Sequence, residues 1–568
     1  MNKKWVVKNK KENNLINEEF IKRKYNLKNL TAKILAQKNF KNEEELRIFL
    51  NPTRKDFYDP YLMIDMKKAI DRIIKAIEKQ EKILIYGDYD ADGITSVTIL
   101  KRFFIDRGIT TGVYIPNRIT EGYGVNEEAI EKIANEGYNL IITVDCGITS
   151  IKETELAKEK GIDIIITDHH EPNEDGTIPN AIAVVDNKRK ESKYPFKELA
   201  GCGVAFKLIQ ALCKRLDIDE YNALKYLDVV TIGTISDIVP LIDENRVITK
   251  LGLLLIKQTK NIGLYQLIKD SQIKEINTTS ISFGISPRIN ACGRLGKEKD
   301  ALELFLTNDP IKARELSKNV NEYNKQRQEI EKNIYNQALE KMNKENEKDK
   351  CIILGNENWY HGVIGIVSSK ITERFYKPSI LISFEEDDAK GSGRSIEGFD
   401  LHLALTKCSK YLQNFGGHSM AVGVTLKKDD FNKFKEEFIK YANSNIKDED
   451  LISKIEIDDI IDEKDVNIDS ISELKILEPF GEKNEEPIFE YDNLKITSIR
   501  TLSDGKHLKL NLNDNNTYID AIGFNIGDLA KDFQIGDRVD VACNIGINEF
   551  NGNRKIQMVI KDIRKSIN

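Results

Sequence analysis

Four short apolar runs in this chain each end in acidic or imidazole side chains. Ile83 to Tyr86 leads into Gly87-Asp88-Tyr89-Asp90-Ala91-Asp92-Gly93, Leu140 to Val144 into Asp145-Cys146-Gly147, Ile164 to Thr167 into Asp168-His169-His170, and Val229 to Ser236 into Asp237. Short β-branched runs separated by amphipathic stretches of helix length read as buried parallel strands. In open α/β sheets ligands bind beyond the carboxyl ends of such strands, so the four clusters are expected to converge. Acids and two imidazoles crowded at one rim repel one another unless cations neutralise them, and the economical reading is a divalent metal centre of two ions.

The chain has 568 residues, too many for one core, and three or four units are expected. A helix over Asp65 to Lys79 feeds the first strand, and from Lys82 to Asp237 strands alternate with helices at Val125 to Asn135, Ile151 to Lys160 and Val204 to Leu216, as a doubly wound sheet requires. The first domain is set at 1–308, including the mixed helical patterns of the first 60 residues. From Asp309 to Lys348 apolar Leu316, Val320, Tyr323, Ile330, Ile334, Ala338 and Met342 step by three, four and seven, which predicts one long helix linking two domains, with a short coiled coil as the rival. A second, smaller α/β domain follows at 351–447, with strands at Cys351 to Gly355 and Ser379 to Ser383 and helices at Gly362 to Phe375 and Phe399 to Tyr411. An acidic, loop-like linker is assigned to 448–485. Five alternating segments at Leu494–Ile496, His507–Leu512, Tyr518–Ile522, Arg538–Val541 and Lys555–Ile560 then predict a small C-terminal β-barrel over 486–568, for which an OB-fold is the obvious candidate.

No window approaches a membrane span, and Met1-Asn2-Lys3-Lys4-Trp5 runs into Lys, Glu and Asn without the apolar core of a signal peptide, so a cytoplasmic protein is expected. Seven scattered cysteines without a Cys-x-x-Cys pair fit a reducing compartment better than a disulfide framework or zinc cluster. A net charge of −6 gives no global attraction to phosphate, so any nucleic-acid contact must come from a local basic groove.

Taken singly, an Asp after a strand is most simply the cap of the next helix or part of a turn. Taken together, Asp90, Asp92, Asp145, His169 and Asp237 combine hard oxygen donors with imidazole, a set that suits manganese or magnesium better than zinc. Gly391-Ser392-Gly393-Arg394-Ser395 reads alone as a flexible turn, yet it offers backbone N–H groups, two hydroxyls and a guanidinium to an anion.

These motifs resemble, in order, those of the DHH phosphoesterases: Gly87 to Gly93, Val144 to Gly147, Asp168-His169-His170 and Ser236 to Leu241. The likeness is closer to the bacterial single-strand-specific exonucleases of that family. It extends through Ile115 to Arg118, Glu121 to Gly124, Pro287 to Leu295, His361 to Val367, Gly391 to Ser395 and Gly416-Gly417-His418, and covers roughly residues 60 to 565. The resemblance implies a DHH domain, a DHHA1-type domain and an OB-fold, and a two-metal, Mn2+- or Mg2+-dependent hydrolysis that releases mononucleotides from the 5′ end of single-stranded DNA, in repair and recombination. It implies a metal role for His169, a phosphate-facing role for His170 and an orienting role for Asp168. Asp88 either ligates or orients water. Arg118, Arg288, Arg294, His361, Ser392, Arg394, Ser395 and His418 are the candidates for holding substrate, and Arg294 is alternatively an ion-pair partner of Glu298. Where many members carry His, this chain has Tyr86, a poor manganese ligand. Lys495, Lys506, Lys509 and Lys555 with Tyr518, Phe524 and Phe550 are expected to track a single strand, at least half of the aromatics serving as barrel core. A monomer, with a helicase and a single-strand-binding protein as partners, completes the expectation. The rivals are a family member acting on short oligonucleotides, cyclic dinucleotides or pyrophosphate, and a non-catalytic single-strand binder.

Overall fold

The computed structural model describes residues 3–8, 16–342, 348–514, 517–550 and 552–566; Met1, Asn2, positions 343–347 of the expected linking helix and the Phe550 side chain lie outside them. The chain forms two compact units, Thr53–Leu451 and a second made of Met1–Pro52 with Ile452–Asn568.

The larger unit opens with helix α1 (Met66–Glu78) and a five-stranded sheet, β1 (Ile83–Gly87), β2 (Thr111–Tyr114), β3 (Leu140–Val144), β4 (Asp163–Asp168) and β5 (Ala183–Asp186), interleaved with α2 (Ala91–Ile105), α3 (Glu127–Asn135) and α4 (Ile151–Glu159). The spatial order is β2-β1-β3-β4-β5, all parallel. Alternate side chains feed two cores: Ile83, Ile85, Ile142 and Ile165 face one, and Leu84, Ile141, Ile164 and Ile166 face the other. Register aligns Gly87 with Val144, Val144 with Thr167, and Asp168 with Asp186, so the strands end together. The chain order reverses between β1 and β3, the point where an open sheet forms its crevice.

Two further helices complete the rim, α5 (Gly201–Arg215) and α6 (Leu227–Ser236). The run Val229 to Ser236, expected as a strand, is this second helix. It is apolar and buried all round, so it carries neither the period of 2 nor that of 3.6, and periodicity cannot assign it. Helix α7 (Ser286–Arg294) follows a π-helical turn at Ile281–Ile285. Helix α8 (Pro310–Met342) is a single helix about 50 Å long at 1.5 Å per residue. Leu316 and Val320 pack into the first core, and Ile334 and Ala338 into the core of the next subdomain, which settles the linking role over a coiled coil.

That subdomain comprises β6 (Ile352–Asn356), α9 (His361–Phe375), β7 (Ser379–Glu385), β8 (Asp388–Arg394), α10 (Leu401–Lys407), β9 (Asn414–Gly417), β10 (Ala421–Lys427) and α11 (Phe431–Asn445), with sheet order β9-β10-β8-β7-β6. Gly391 to Arg394 belong to β8, a strand paired on both sides, and not to a loop. Their backbone groups are committed to the ladder. A Cβ on Gly391 or Gly393 would meet Val424 and Ile382, or Val422 and Ile380, while Ser392 and Arg394 face Gly365 of α9.

In the smaller unit, β11 (Phe489–Leu502), β12 (His507–Asn513), β13 (Tyr518–Gly523), β14 (Arg538–Phe550) and β15 (Asn553–Lys565) close into a five-stranded barrel through the β11–β14 pairing. Residues 1–52, expected within the first domain, pack here instead. Lys4–Val7 pairs in parallel with Lys454–Ile457, and Ile21, Leu30 and Leu46 share the barrel's core. The segment expected as a linker is also folded: Ile461, Val466, Ile471, Leu474 and Leu477 are buried in that core despite the acidic residues between them. Tyr518 and Phe524 are exposed, so neither is barrel core.

Candidate metal centre and its substrate rim

The loop after β1 carries three carboxylates into the crevice. Asp90 caps α2, its Oδ1 accepting from the N–H groups of Asp92 and Gly93, so the simple capping role holds. Asp92 lies within the first turn, where the N-terminus of α5 grips it: Gly201 N–H donates to Oδ2 at 2.6 Å and Cys202 N–H to Oδ1 at 2.9 Å. Asp88 is 3% exposed, and its Oδ1 has no hydrogen-bond partner.

Asp145 follows β3 in the left-handed region, φ +62°, a conformation that turns its carboxylate back over the strand ends. Gly201 leaves room for it, since a Cβ there would stand 2.4 Å from Asp145 Oδ1. His169 Nε2 lies 3.1 Å from Asp145 Oδ1, 3.6 Å from Asp237 Oδ2 and 3.8 Å from Asp92 Oδ2. Neither ring nitrogen of His169 is in a hydrogen bond, although the residue is 5% exposed. Asp237 reaches the cluster from the C-terminal cap of α6, not from a strand end.

Two triads result. Donor atoms of Asp88, Asp90 and Asp145 lie within 4.8 Å of one another, and so do those of Asp92, His169 and Asp237. Burial, reinforced by the neighbouring carboxylates, pushes Asp88, Asp145 and Asp237 well above the ordinary range. Burial also raises Asp92, against the pull of His169, and drops His169 to about 4. Buried, partnerless oxygens beside a neutral imidazole are costly as they stand, by several kcal/mol per uncompensated charge. Hard oxygen donors with one imidazole fit Mn2+ or Mg2+, and the orphaned atoms Asp88 Oδ1, Asp145 Oδ1 and His169 Nε2 are the ones such ions would satisfy.

Asp168 serves the second imidazole. Its Oδ1 takes His170 Nδ1 at 2.7 Å, and Oδ2 accepts from Ile148 N–H at 2.9 Å. Burial would lower His170, but the Asp168 hydrogen bond and nearby carboxylates carry it up to about 9. Tyr123, between Gly122 and Gly124, both with positive φ, places its hydroxyl 3.1 Å from His170 Nδ1. Tyr86 is fully buried, stacks on Tyr114 and donates to Gly124 O at 3.0 Å, so it anchors that loop.

Above the rim is a guanidinium cluster. Arg118 stands over the Tyr89 ring at 5.1 Å, and burial together with Arg118, Arg327 and Arg394 lowers Arg294 to about 10. Arg294 Nη1 donates to Gly362 O at 2.9 Å, and Glu298 Oε2, its alternative ion-pair partner, is buried without a hydrogen bond. Arg394 Nη1 donates to Ser392 Oγ at 3.2 Å and Gly393 O at 2.7 Å. His361, the first residue of α9, keeps Nδ1 unpartnered, and burial with Lys390 and Arg118 nearby lowers its pKa. Three candidates have other engagements. Arg288 is bonded to Asn321 Oδ1 and Gly284 O, the Ser395 hydroxyl donates to Phe399 O, and His418 is an exposed residue of the β9–β10 turn.

Sequence reasoning missed Asp186, across from Asp168 in register, 1% exposed and with Oδ2 unpartnered. Its signal, Ala183-Val184-Val185 before an acid, is the same strand-then-acid pattern in a run too short to stand out. It also missed the N–H groups of Gly201 and Cys202, which leave no trace in side-chain motifs.

A parallel sheet whose crevice gathers two acidic triads around one imidazole, roofed by Arg118 and Arg294 together with Arg394 of a second α/β subdomain, defines a phosphoesterase of the DHH class. The chain matches the family model of the DHH N-terminal domain over residues 82–234, of the DHHA1 domain over 348–444 and of the RecJ OB domain over 457–562. It belongs to the RecJ family of enzymes, described as single-stranded-DNA-specific exonucleases. It is 41% identical to the Bacillus subtilis RecJ over 94% of this chain and 67% of that protein, and 32% identical to the Haemophilus influenzae RecJ over 94% and 95%. The crystal structure of Thermus thermophilus RecJ in complex with Mn2+ superposes with a TM-score of 0.86 and 29% identity, covering 100% of this chain and 80% of that one, and a Mg2+ complex of the same protein matches with 0.80 and 27% over 100% and 79%.

Proposed function

We propose that this protein is a divalent-cation-dependent exonuclease that releases mononucleotides from the 5′ end of single-stranded DNA, in DNA repair and recombination. The observation that carries the reading is the meeting of buried, unpartnered donor atoms from Asp88, Asp145 and His169 with Asp90, Asp92 and Asp237 at one sheet rim. A non-catalytic binder has no use for that arrangement.

Asp88, Asp90 and Asp145 would hold one cation and Asp92, His169 and Asp237 another, with Asp145 near enough to His169 to serve both. Two such ions supply charge neutralisation at the phosphoryl group and a water acidified toward neutrality. The chain does the rest. The N-terminus of α5 fixes the Asp92 carboxylate, and Asp168 fixes His170 through Nδ1, so that Nε2 offers a proton to a phosphate oxygen. Arg118, Arg294, Arg394, Ser392 and His361 form a cationic, hydroxyl-lined roof suited to a terminal phosphate, which would set the end from which digestion starts. Arg288 would hold the arginine-bearing helix against α8, Ser395 would brace the strand that carries Arg394, and His418 would stand at the outer edge.

In the smaller unit, exposed Tyr518 and Phe524 with neighbouring lysines suit a single strand. We extend the reading to a monomeric cytoplasmic enzyme that takes its strand from a helicase or a single-strand-binding protein. It is supported by seven free, buried cysteines, which suit a reducing compartment. Among the described residues no helix is long and apolar enough to cross a membrane. Digestion of a long strand labelled at one end or the other, with Mn2+, Mg2+ or chelator, tests the proposal: 5′ label released first as mononucleotide, and only with cation, is the expected result. Preference for dinucleotides would move the protein to the short-substrate branch.

A further inference from the structure

Helix α7 touches three parts of the site at once. At its start, Ser236, one residue before Asp237, donates its hydroxyl to Ser286 Oγ at 2.6 Å. In its middle, Asn290 Oδ1 accepts from the backbone N–H of Ala91 at 2.9 Å. A Cβ on Gly293 would stand 2.4 Å from the Tyr89 carbonyl oxygen, so the helix lies directly on the Asp88–Asp92 loop. At its end, Arg294 Nη1 donates to Gly362 O, and the Tyr360 hydroxyl donates to the Arg294 carbonyl at 3.0 Å, both reaching the second subdomain.

The Ala91 N–H is the informative partner. Ala91 is 1% exposed, and the Asp90 side chain that caps this helix is already taken up by the Asp92 and Gly93 N–H groups. Asn290 therefore supplies the acceptor that completes the N-terminus of α2, in the loop that gives Asp88 and Asp90 to one triad and Asp92 to the other.

We propose that Asn290 is a positioning residue for the cation-holding loop, and that α7 transmits engagement of the second subdomain to that loop. A helix is stiff along its axis, so displacement of Arg294 moves Asn290 and Gly293 with it. Asn290 turns that motion into a shift of the Ala91 N–H, and hence of Asp90 and Asp92. The inference rests on the cation-dependent reading above.

The test is Mn2+ affinity of the full chain without nucleic acid, read from the electron paramagnetic resonance of free Mn2+, for the wild type, Asn290→Ala, Asn290→Asp, Tyr360→Phe and the double variant Asn290→Ala with Tyr360→Phe. Asn290→Ala should weaken binding roughly tenfold, the order set by one buried donor left unpaired. Asn290→Asp keeps an acceptor oxygen at the same place and should bind at least as well as wild type. Tyr360→Phe, which removes no group of either triad, should weaken binding about two- to threefold, and the double variant should be no weaker than Asn290→Ala alone, because the route is already cut. Wild-type affinity in Asn290→Ala, or equal weakness in Asn290→Asp, overturns the positioning role. Effects of Tyr360→Phe and Asn290→Ala that multiply independently overturn the transmission. Failure of the cation-dependent reading looks different: the wild type itself would bind no Mn2+.

Discussion

His169 Nε2 lies 3.1 Å from Asp145 Oδ1, and neither atom is in a hydrogen bond. Two polar atoms that approach so closely without bonding are aimed at a third point between them. That point is also faced by Asp92 and Asp237, and the fold goes to some length to create it: a left-handed Asp145, a glycine at 201 and a helix N-terminus that holds Asp92.

Gly201→Ala tests that construction without removing any donor. A Cβ 2.4 Å from Asp145 Oδ1 must displace the carboxylate or the helix. Mn2+ affinity, measured by equilibrium dialysis, should fall at least about tenfold, the cost of one hydrogen bond's worth of misplacement. Unchanged affinity would show that the close approach is not needed.

Asp168→Asn separates orientation from ligation. Asp168 accepts His170 Nδ1 at 2.7 Å and is absent from both triads. Loss of such an outer partner costs roughly 10- to 100-fold. The loss should appear in kcat on single-stranded DNA while Mn2+ affinity stays near that of the wild type. A fall in cation binding alone would place Asp168 among the ligands.

Asp186 gives a pH signature. Burial and the nearby Asp168 push its carboxyl up to about 8, from an ordinary value of about 3.9. The folded chain keeps a proton that the unfolded chain surrenders, so stability falls as pH rises from about 4 to about 8 and then levels off. Asp186→Asn is neutral throughout and escapes that fall. In cation-free protein its gain in melting temperature should grow between about pH 5 and about pH 8.5. The same shift at both ends would mean that Asp186 is ionised in the folded state.

Arg394→Ala addresses the end of the strand. Arg394 sits with Arg118 and Arg294, its charged form disfavoured by burial and by Arg118, as expected of a group awaiting an anion. One charge-assisted hydrogen bond is worth about 1.5–3 kcal/mol, so KM for a 5′-phosphorylated strand should rise roughly 10- to 100-fold. A 5′-hydroxyl strand should be nearly unaffected. Equal losses on both strands would argue against recognition of the terminal phosphate.

Much of this was readable in the residues. Strand-then-acid runs placed the parallel sheet and three of the clusters, because a fully buried strand and the crevice beyond it both leave marks on local sequence. Val229 to Ser236 misled, since a helix buried on every side has no polar face to set its period. The packing of Lys4–Val7 beside Lys454–Ile457 was invisible, because pairing across that separation depends on tertiary structure alone. Gly391 to Arg394 looked like a loop through its glycines, which instead make room for Ile380, Ile382, Val422 and Val424 on neighbouring strands. The Ala91–Asn290 hydrogen bond was equally hidden: an asparagine side chain meeting a backbone N–H far along the chain leaves no motif.

The central claim is that acids and an imidazole from separate segments meet to hold the cations that hydrolysis requires, and Asp145→Ala examines it most directly. Asp145 shares one triad with Asp88 and Asp90 and another with His169 and His170, and it stands 3.1 Å from His169 Nε2. The variant should lose Mn2+-dependent release of nucleotides from a 5′-labelled single strand by about a thousandfold or more, the scale of a few kcal/mol of lost cation assistance, while binding that strand as tightly as the wild type. Release at the wild-type rate would contradict the account.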